Sequence, residues 1–278
     1  MTTTMLLPML IALGCAARED VRSGYAPVNG LRMYYEVHGE RRTDAQPPLV
    51  MLHGGGSTIE TTCAELLPRL ARDRQVIAFE QQGHGRTADI PDRPFTFEQS
   101  ADDAAALLDY LRIDRADFYG FSNGGTIVLQ IAKRHPQRVR KLIAASAIVK
   151  KDGMPPEFWE GMRHATLQSM PAELQDAYKR VAPHPEQLQS FHDKSVRRML
   201  EFVDWTSQEI ASIGAPTLII IGDRDVVLPE HAVEMFRLLP HAKLAVLPDT
   251  DHATIVQDDD RAQWQVSMIE TFLNTPVR

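Results

Sequence analysis

The chain has 278 residues and is 44% apolar, enough for a substantial core, and α/β folds of this length often form one domain. Its net charge of −7 is spread along the chain and leaves no basic stripe for nucleic acid. The two cysteines, Cys15 and Cys63, cannot build a disulfide framework.

Met1 to Ala17 carries no charged side chain and is mostly apolar from Met5 onward. It is shorter than the ~20 residues of a membrane-spanning helix and fits the apolar region of an export signal, with Gly14 to Ala17 as a cleavage zone. Ala12-Leu13-Gly14-Cys15 also resembles the lipobox of bacterial lipoproteins, which implies a lipid anchor at Cys15. Two features depart from that pattern: no Lys or Arg precedes the apolar run, and alanine stands where leucine is usual. The expectation is export (periplasmic, lipid-anchored or secreted). The rival reading is an unstructured extension or a misplaced start, which leaves the protein in the cytoplasm.

Tyr25-Ala26-Pro27-Val28 and Leu31 to Val37 flank Asn29-Gly30, the preferred pair for a primed hairpin turn. A buried-strand run, Pro48 to Leu52, leads into His53-Gly54-Gly55-Gly56. Ser57-Thr58-Ile59-Glu60 reads as a capping box opening a helix, and Cys63 as a small core hydrophobe in a helix over 61–71. Strands are expected at Val76–Phe79, Phe118–Phe121, Lys141–Ile148, Pro216–Ile221 and Leu244–Leu247. Helices are expected at Phe97–Leu111, Asn123–His135, Pro229–Leu239 and Asp259–Leu273. Short apolar strands alternating with longer helices predict an α/β fold, a mostly parallel doubly wound sheet with the antiparallel hairpin at one edge. Residues 149–212 break the alternation with helical, Pro-punctuated sequence and read as an inserted cap. The core then comprises 18–148 and 213–278, and 1–17 the signal.

Gly120-Phe121-Ser122-Asn123-Gly124 lies between a strand and a helix. That context puts a serine on a strained elbow, with small residues two before and two after. Asp225 follows the strand ending at Ile221, and His252 follows the next strand, so all three emerge at one sheet edge. The order Ser, Asp, His is the one used by the α/β-hydrolase fold.

Over about residues 25–275, with those motifs and His53-Gly54-Gly55-Gly56 in this order, the chain resembles an α/β-hydrolase of the esterase-like group with a helical cap. The resemblance implies Ser122 as nucleophile, His252 as general base and acid, and Asp225 as the residue orienting His252. Asp223 is a rival acid, better read as a turn residue. Backbone N–H groups of Asn123 and Gly55, with Gly56 as alternative, would form the oxyanion hole. Many relatives carry Asp and Arg in the stretch that here reads Glu80-Gln81-Gln82-Gly83-His84-Gly85-Arg86-Thr87. His53 reads as a loop-fixing residue, and His84 either lines the cleft or is a solvated loop residue.

The implied activity is hydrolysis of small-to-medium carboxylic esters through an acyl-enzyme, with no cofactor. C–C bond hydrolysis and cofactor-free perhydrolysis use the same triad, acyl transfer differs in its acceptor, and some proteins of this fold only bind. Asp249 and Asp251 beside His252 could suggest a metal, but no metal-binding spacing accompanies them. Phe158, Trp159 and Met162 are candidate substrate-binding residues, although the stripe of an amphipathic cap helix would look the same. Phe202 and Trp205 share that ambiguity. Oligomeric state is not legible.

Overall fold

The computed structural model describes residues 21–41 and 46–276. The expected signal over 1–17 and the anchor at Cys15 lie outside the described residues. Among the described residues no helix is long and apolar enough to cross a membrane.

Eight strands form one sheet: β1 (Arg22–Val28), β2 (Leu31–His38), β3 (Leu49–Leu52), β4 (Val76–Phe79), β5 (Ala116–Phe121), β6 (Val139–Ala145), β7 (Thr217–Gly222) and β8 (Ala242–Leu247). Their spatial order is β1-β2-β4-β3-β5-β6-β7-β8. The β1–β2 hairpin joins the sheet antiparallel to β4, and all later strands run parallel. Asn29 and Gly30 both adopt positive φ, 47° and 84°, as a primed two-residue turn requires. Strands β3, β4, β5 and β7 are buried along their whole length, because helices cover both faces.

The helices of the core are α1 (Ile59–Cys63), α2 (Leu67–Leu70), α3 (Phe97–Tyr110) and α4 (Asn123–Arg134), followed after the insertion by α9 (Pro229–Leu238), α10 (Thr254–Gln257) and α11 (Asp259–Asn274). Residues of α3, α4 and α9 pack into one apolar cluster on one face of the sheet. On the other face α1, α2, α10 and α11 supply a second, in which Cys63 is buried. The helix expected over 61–71 is two short pieces, with Pro68 inside the first turn of the second. The capping box is present but one residue later than expected. Thr58 caps α1 with Thr61 as its partner, while the Glu60 carboxylate turns away to Arg86.

The strand expected over 141–148 starts earlier and ends at Ala145, because Ser146 takes a φ of 50° and breaks the extended run. Between β6 and β7 lie α5 (Pro156–Arg163), α6 (Ala172–Val181), α7 (Leu188–Leu200) and α8 (Ser207–Ala211), with no strand. Helix α7 fastens this insertion to the loop after β4. Lys194 Nζ donates to Asp89 Oδ2 at 2.6 Å and to the carbonyls of Ile90 and Arg93 at 2.9 and 3.1 Å. Phe191 stacks on Tyr178 and meets the edge of His84.

At the amino ends of the parallel strands sits a buried ionic network. Arg74 donates to both carboxylate oxygens of Glu270 at 2.8 and 2.6 Å, and Arg140 Nε donates to the fully buried Asp117 at 2.8 Å. Arg74 also lies 3.8 Å from Asp117, so it ties α11 to the sheet through both acids. Removing one member of a buried ionic network strands the others. Arg74→Met is therefore expected to cost about 3 kcal/mol of stability in urea denaturation. A midpoint equal to that of the parent would show that the network contributes nothing.

Candidate active site

Strand β5 delivers Ser122 to the carboxyl edge of the sheet with φ 55° and ψ −120°, a conformation rarely adopted by residues other than glycine. The flanking glycines make the turn possible. A Cβ at Gly120 would lie 2.1 Å from the Gly124 carbonyl oxygen, and one at Gly124 would lie 2.5 Å from that of Leu52. The Ser122 N–H donates to the Ala145 carbonyl at 2.8 Å, and α4 starts immediately after.

The loops after β7 and β8 close on each other. At Gly222 a Cβ would fall 2.1 Å from the Thr250 carbonyl oxygen, so only glycine allows this approach. His252 Nδ1 lies 2.7 Å from Asp225 Oδ1, and His252 Nε2 lies 3.1 Å from Ser122 Oγ. The carboxylate makes Nδ1 the protonated nitrogen, so Nε2 faces the serine hydroxyl as an acceptor. Asp225 is 9% exposed. Burial alone would raise its pKa. The hydrogen bond and charge of His252, then the Ser146 hydroxyl and the Val227 N–H, outweigh burial and hold it below the ordinary carboxylate range. Ser146 Oγ donates to Asp225 Oδ2 at 2.5 Å, and the Val227 N–H donates to Oδ1 at 3.0 Å. Asp223 instead accepts the Thr250 N–H at 3.0 Å and fastens the two loops.

The loop after β3 runs beside the serine. A Cβ on Gly55 would collide with the Asn123 carboxamide at 2.3 Å, so Gly55 and Asn123 are directly adjacent. The Asn123 N–H opens α4, where first-turn donors have no helical acceptor, and among the described residues no backbone acceptor meets the Gly55 N–H.

His53 supports this loop from below. Its Nδ1 donates to the Gly54 carbonyl at 2.8 Å, and its Nε2 accepts the Gln81 N–H at 3.1 Å. His84 neither lines the cleft nor meets solvent. It is 1% exposed, packed among His53, Phe95 and Phe191, because its Nδ1 donates back to the Gln82 carbonyl within the same turn. Burial lowers the pKa of His53 to about 4 and that of His84 well below its usual value. Beside them Arg198 of α7 is 3% exposed, and Nη1 donates to Gln81 Oε1 at 3.1 Å. Burial lowers its pKa to about 10.

Above Ser122 and His252 lies a cavity of about 300 Å³. Gly55, Asn123 and Ser146 line it with Phe158, Met162, Met170, Leu174 and Val226. Helix α7 adds His192, Ser195, Val196 and Met199, an i, i+3, i+4, i+7 stripe that was readable in the sequence and missed. Trp159 does not line the cavity. It stands about 100° around α5 from Phe158 and about 60° from Met162, and its indole N–H donates to the Lys151 carbonyl at 2.8 Å within the insertion's own packing. Phe202 and Trp205 likewise belong to the apolar cluster.

Asp249 pairs with Arg224, and Asp251 caps the turn at Thr254, so neither joins His252 in a ligand set. Among the described residues Asp152, His231 and Glu234 bring ligand atoms within 4.8 Å of one another. His231 Nε2 accepts the Val149 N–H at 3.1 Å, which puts the ring proton on Nδ1, the nitrogen facing Glu234. No lone pair is left there for a cation.

The sequence model of the family described as "alpha/beta hydrolase fold" matches residues 47–190. The chain is 29% identical over 232 residues to a 2-hydroxymuconate semialdehyde hydrolase of Pseudomonas sp. (strain CF600), covering 76% of this chain and 82% of that protein. It is 28% identical to a pimeloyl-[acyl-carrier protein] methyl ester esterase of Neisseria meningitidis, covering 76% of this chain and 88% of the esterase. Among solved structures, the enol-lactonase from Burkholderia xenovorans LB400 superposes with a TM-score of 0.71 at 24% identity, over 90% of this chain and 100% of that one. That likeness is one of fold.

The neutral histidines under the loop make stability depend on pH. Between about 4 and 6.5 the unfolded chain binds protons at His53 that the folded chain refuses, so its contribution is complete above 6.5 and declines as pH falls. Each such histidine gives a slope of up to about 1.4 kcal/mol per pH unit. Urea midpoints measured from pH 7 to pH 5 should fall, and His84→Phe should flatten the fall. An unchanged slope in that variant would show that His84 takes up its proton while folded.

Proposed function

The chain belongs to the α/β hydrolase fold family, and on that premise we propose that it is a serine hydrolase cleaving small-to-medium carboxylic esters through an acyl-enzyme. The observation that carries this reading is the unbroken line Ser122 Oγ, His252 Nε2, His252 Nδ1, Asp225 Oδ1, with spacings of 3.1 and 2.7 Å at its two contacts, beneath an apolar cavity.

A serine hydroxyl is a weak nucleophile until a base accepts its proton. His252 Nε2 takes that proton as Ser122 Oγ bonds to the ester carbonyl carbon. Asp225 stabilises the imidazolium and keeps the ring oriented. The carbonyl oxygen becomes anionic and is met by the N–H groups of Gly55 and Asn123, each worth roughly 3–4 kcal/mol in comparable sites. His252 returns the proton to the departing alkoxide, and the alcohol leaves. The second half repeats these steps with water, activated by His252, and frees the acid. The insertion over 149–212 acts in this reading as a cap whose helices α5, α6 and α7 shape the acyl pocket. The substrate is a small molecule of modest polarity, held without a cofactor.

A second reading, hydrolysis of a C–C bond next to a carbonyl, draws on the similarity to the semialdehyde hydrolase and uses the same groups. A panel of p-nitrophenyl and methyl esters of graded chain length, run beside a vinylogous 1,5-diketo acid, separates the two. The expected outcome is turnover of short and medium esters. Ser122→Ala should lose at least about a thousandfold and Asp225→Asn about 10⁴-fold in kcat. Ser146→Ala should lose about 10–150-fold in kcat, since a hydrogen bond to a charged group contributes ~1.5–3 kcal/mol. Preferred turnover of the diketo acid would replace the ester reading, and a collapse in Asp223→Asn instead would reassign the acid.

A further inference from the structure

Arg198 is a buried guanidinium that the mechanism above does not use. Nη1 bonds the neutral amide oxygen of Gln81, while Nε and Nη2 are buried with no partner. Among the described residues no carboxylate comes within ion-pair distance; the guanidinium carbon lies 5.8 and 5.3 Å from the ring centres of Phe95 and Phe97. A buried cation without an anion is expensive, and packing on two aromatic rings does not neutralise it. Its placement suggests a use. Nη2 lies 3.7 Å from the position a Cβ on Gly55 would take, behind the loop that faces Ser122.

The chain of contacts from this residue runs straight to that loop. Gln81 Nε2 donates to the His53 carbonyl at 3.1 Å, and the Gln81 N–H donates to the His53 ring. His53 in turn donates to Gly54. The neighbouring Gln82 does not contribute, since its amide is used up on Asp89 and on the Ile90 and Arg93 carbonyls. The guanidinium beside Gln81 comes from the inserted helix α7.

We propose that Arg198 is a positioning residue of the oxyanion loop: through Gln81 and His53 it holds Gly55 in place, and its unpaired charge favours the anion that develops there. The proposal rests on the reading of Ser122 as an acylated nucleophile with Gly55 as oxyanion donor. An ester carbonyl is neutral in the ground state and anionic only in the tetrahedral intermediate. A charge behind the loop therefore acts on kcat and leaves KM nearly alone. The insertion and the oxyanion site become one unit, so movement of α7 would alter the chemistry as well as access.

The test compares Arg198→Met, Arg198→Gln and Arg198→Lys in the full chain, using the best p-nitrophenyl ester and butylboronic acid, which forms an anionic tetrahedral adduct with an active serine. Removing the charge is expected to lower kcat by about 10–100-fold, with KM within about twofold. Inhibition by the boronic acid should weaken by the same factor, and Arg198→Lys should recover most of both. Should Arg198→Met not fold, Arg198→Gln gives the same readout with a polar but uncharged side chain beside Gln81. Neutral variants with kcat and boronic acid affinity within about threefold of the parent would overturn the proposal, as would a loss of kcat with boronic acid affinity intact. Ser122→Ala separates the two readings: full turnover in that variant removes the serine mechanism and this proposal together. An inactive Ser122→Ala beside an unaffected Arg198→Gln removes the proposal alone.

Discussion

Ser122 is held at φ 55° by a turn that allows no larger residue at Gly120 or Gly124, and the rest of the site is arranged around that turn. Such strain costs roughly 1–3 kcal/mol and persists only where the surroundings over-determine it. Here they do so from three sides. Strand β5 lies buried in the middle of the sheet, the Ser122 N–H is bound to the end of β6, and α4 packs directly behind. The elbow pushes the hydroxyl clear of the sheet edge, which is why loops from β3, β7 and β8 can all reach it.

Burial then sets the charges. Asp225 stays ionised because His252, Ser146 and Val227 together outweigh its desolvation. The histidines under the Gly54-Gly55 loop stay neutral because burial outweighs their hydrogen bonds to the Gly54 and Gln82 carbonyls. One end of the site is thus anionic beneath an imidazole. The other end presents the N–H groups of Gly55 and Asn123, with a buried guanidinium behind Gly55. That polarity suits a reaction in which positive charge gathers on His252 while negative charge gathers on a carbonyl oxygen between Gly55 and Asn123.

Much of this was legible because the motifs are local. Ser122, Asp225 and His252 each follow an apolar run that marks a strand end, so their meeting at one edge follows from the parallel order of strands. What was not legible depends on distant partners. Ser146 meets Asp225 across 79 residues and Arg198 meets Gln81 across 117, and neither carries a motif. His84 looked like a loop residue until the aromatic rings of Phe95 and Phe191 closed over it. Trp159 and Phe158 are neighbours in sequence, yet one packs inward and the other faces the cavity, a choice fixed by how α5 is rotated. The one-residue shift of the capping box has a similar origin, since Arg86 claims the Glu60 side chain.

In the ester-hydrolase reading proposed above, the insertion decides which acyl group fits. Its cavity face is largely thioether and aliphatic, with Met162, Met170 and Met199 around His192 and Ser195, a lining that adapts its shape more readily than its polarity. The central claim concerns the serine beneath it. Treatment of the folded protein with a fluorophosphonate, followed by mass spectrometry of the digested chain, tests that claim most directly. One adduct is expected, on Ser122, absent after heat unfolding and in His252→Ala. A folded protein that leaves Ser122 unlabelled would contradict it.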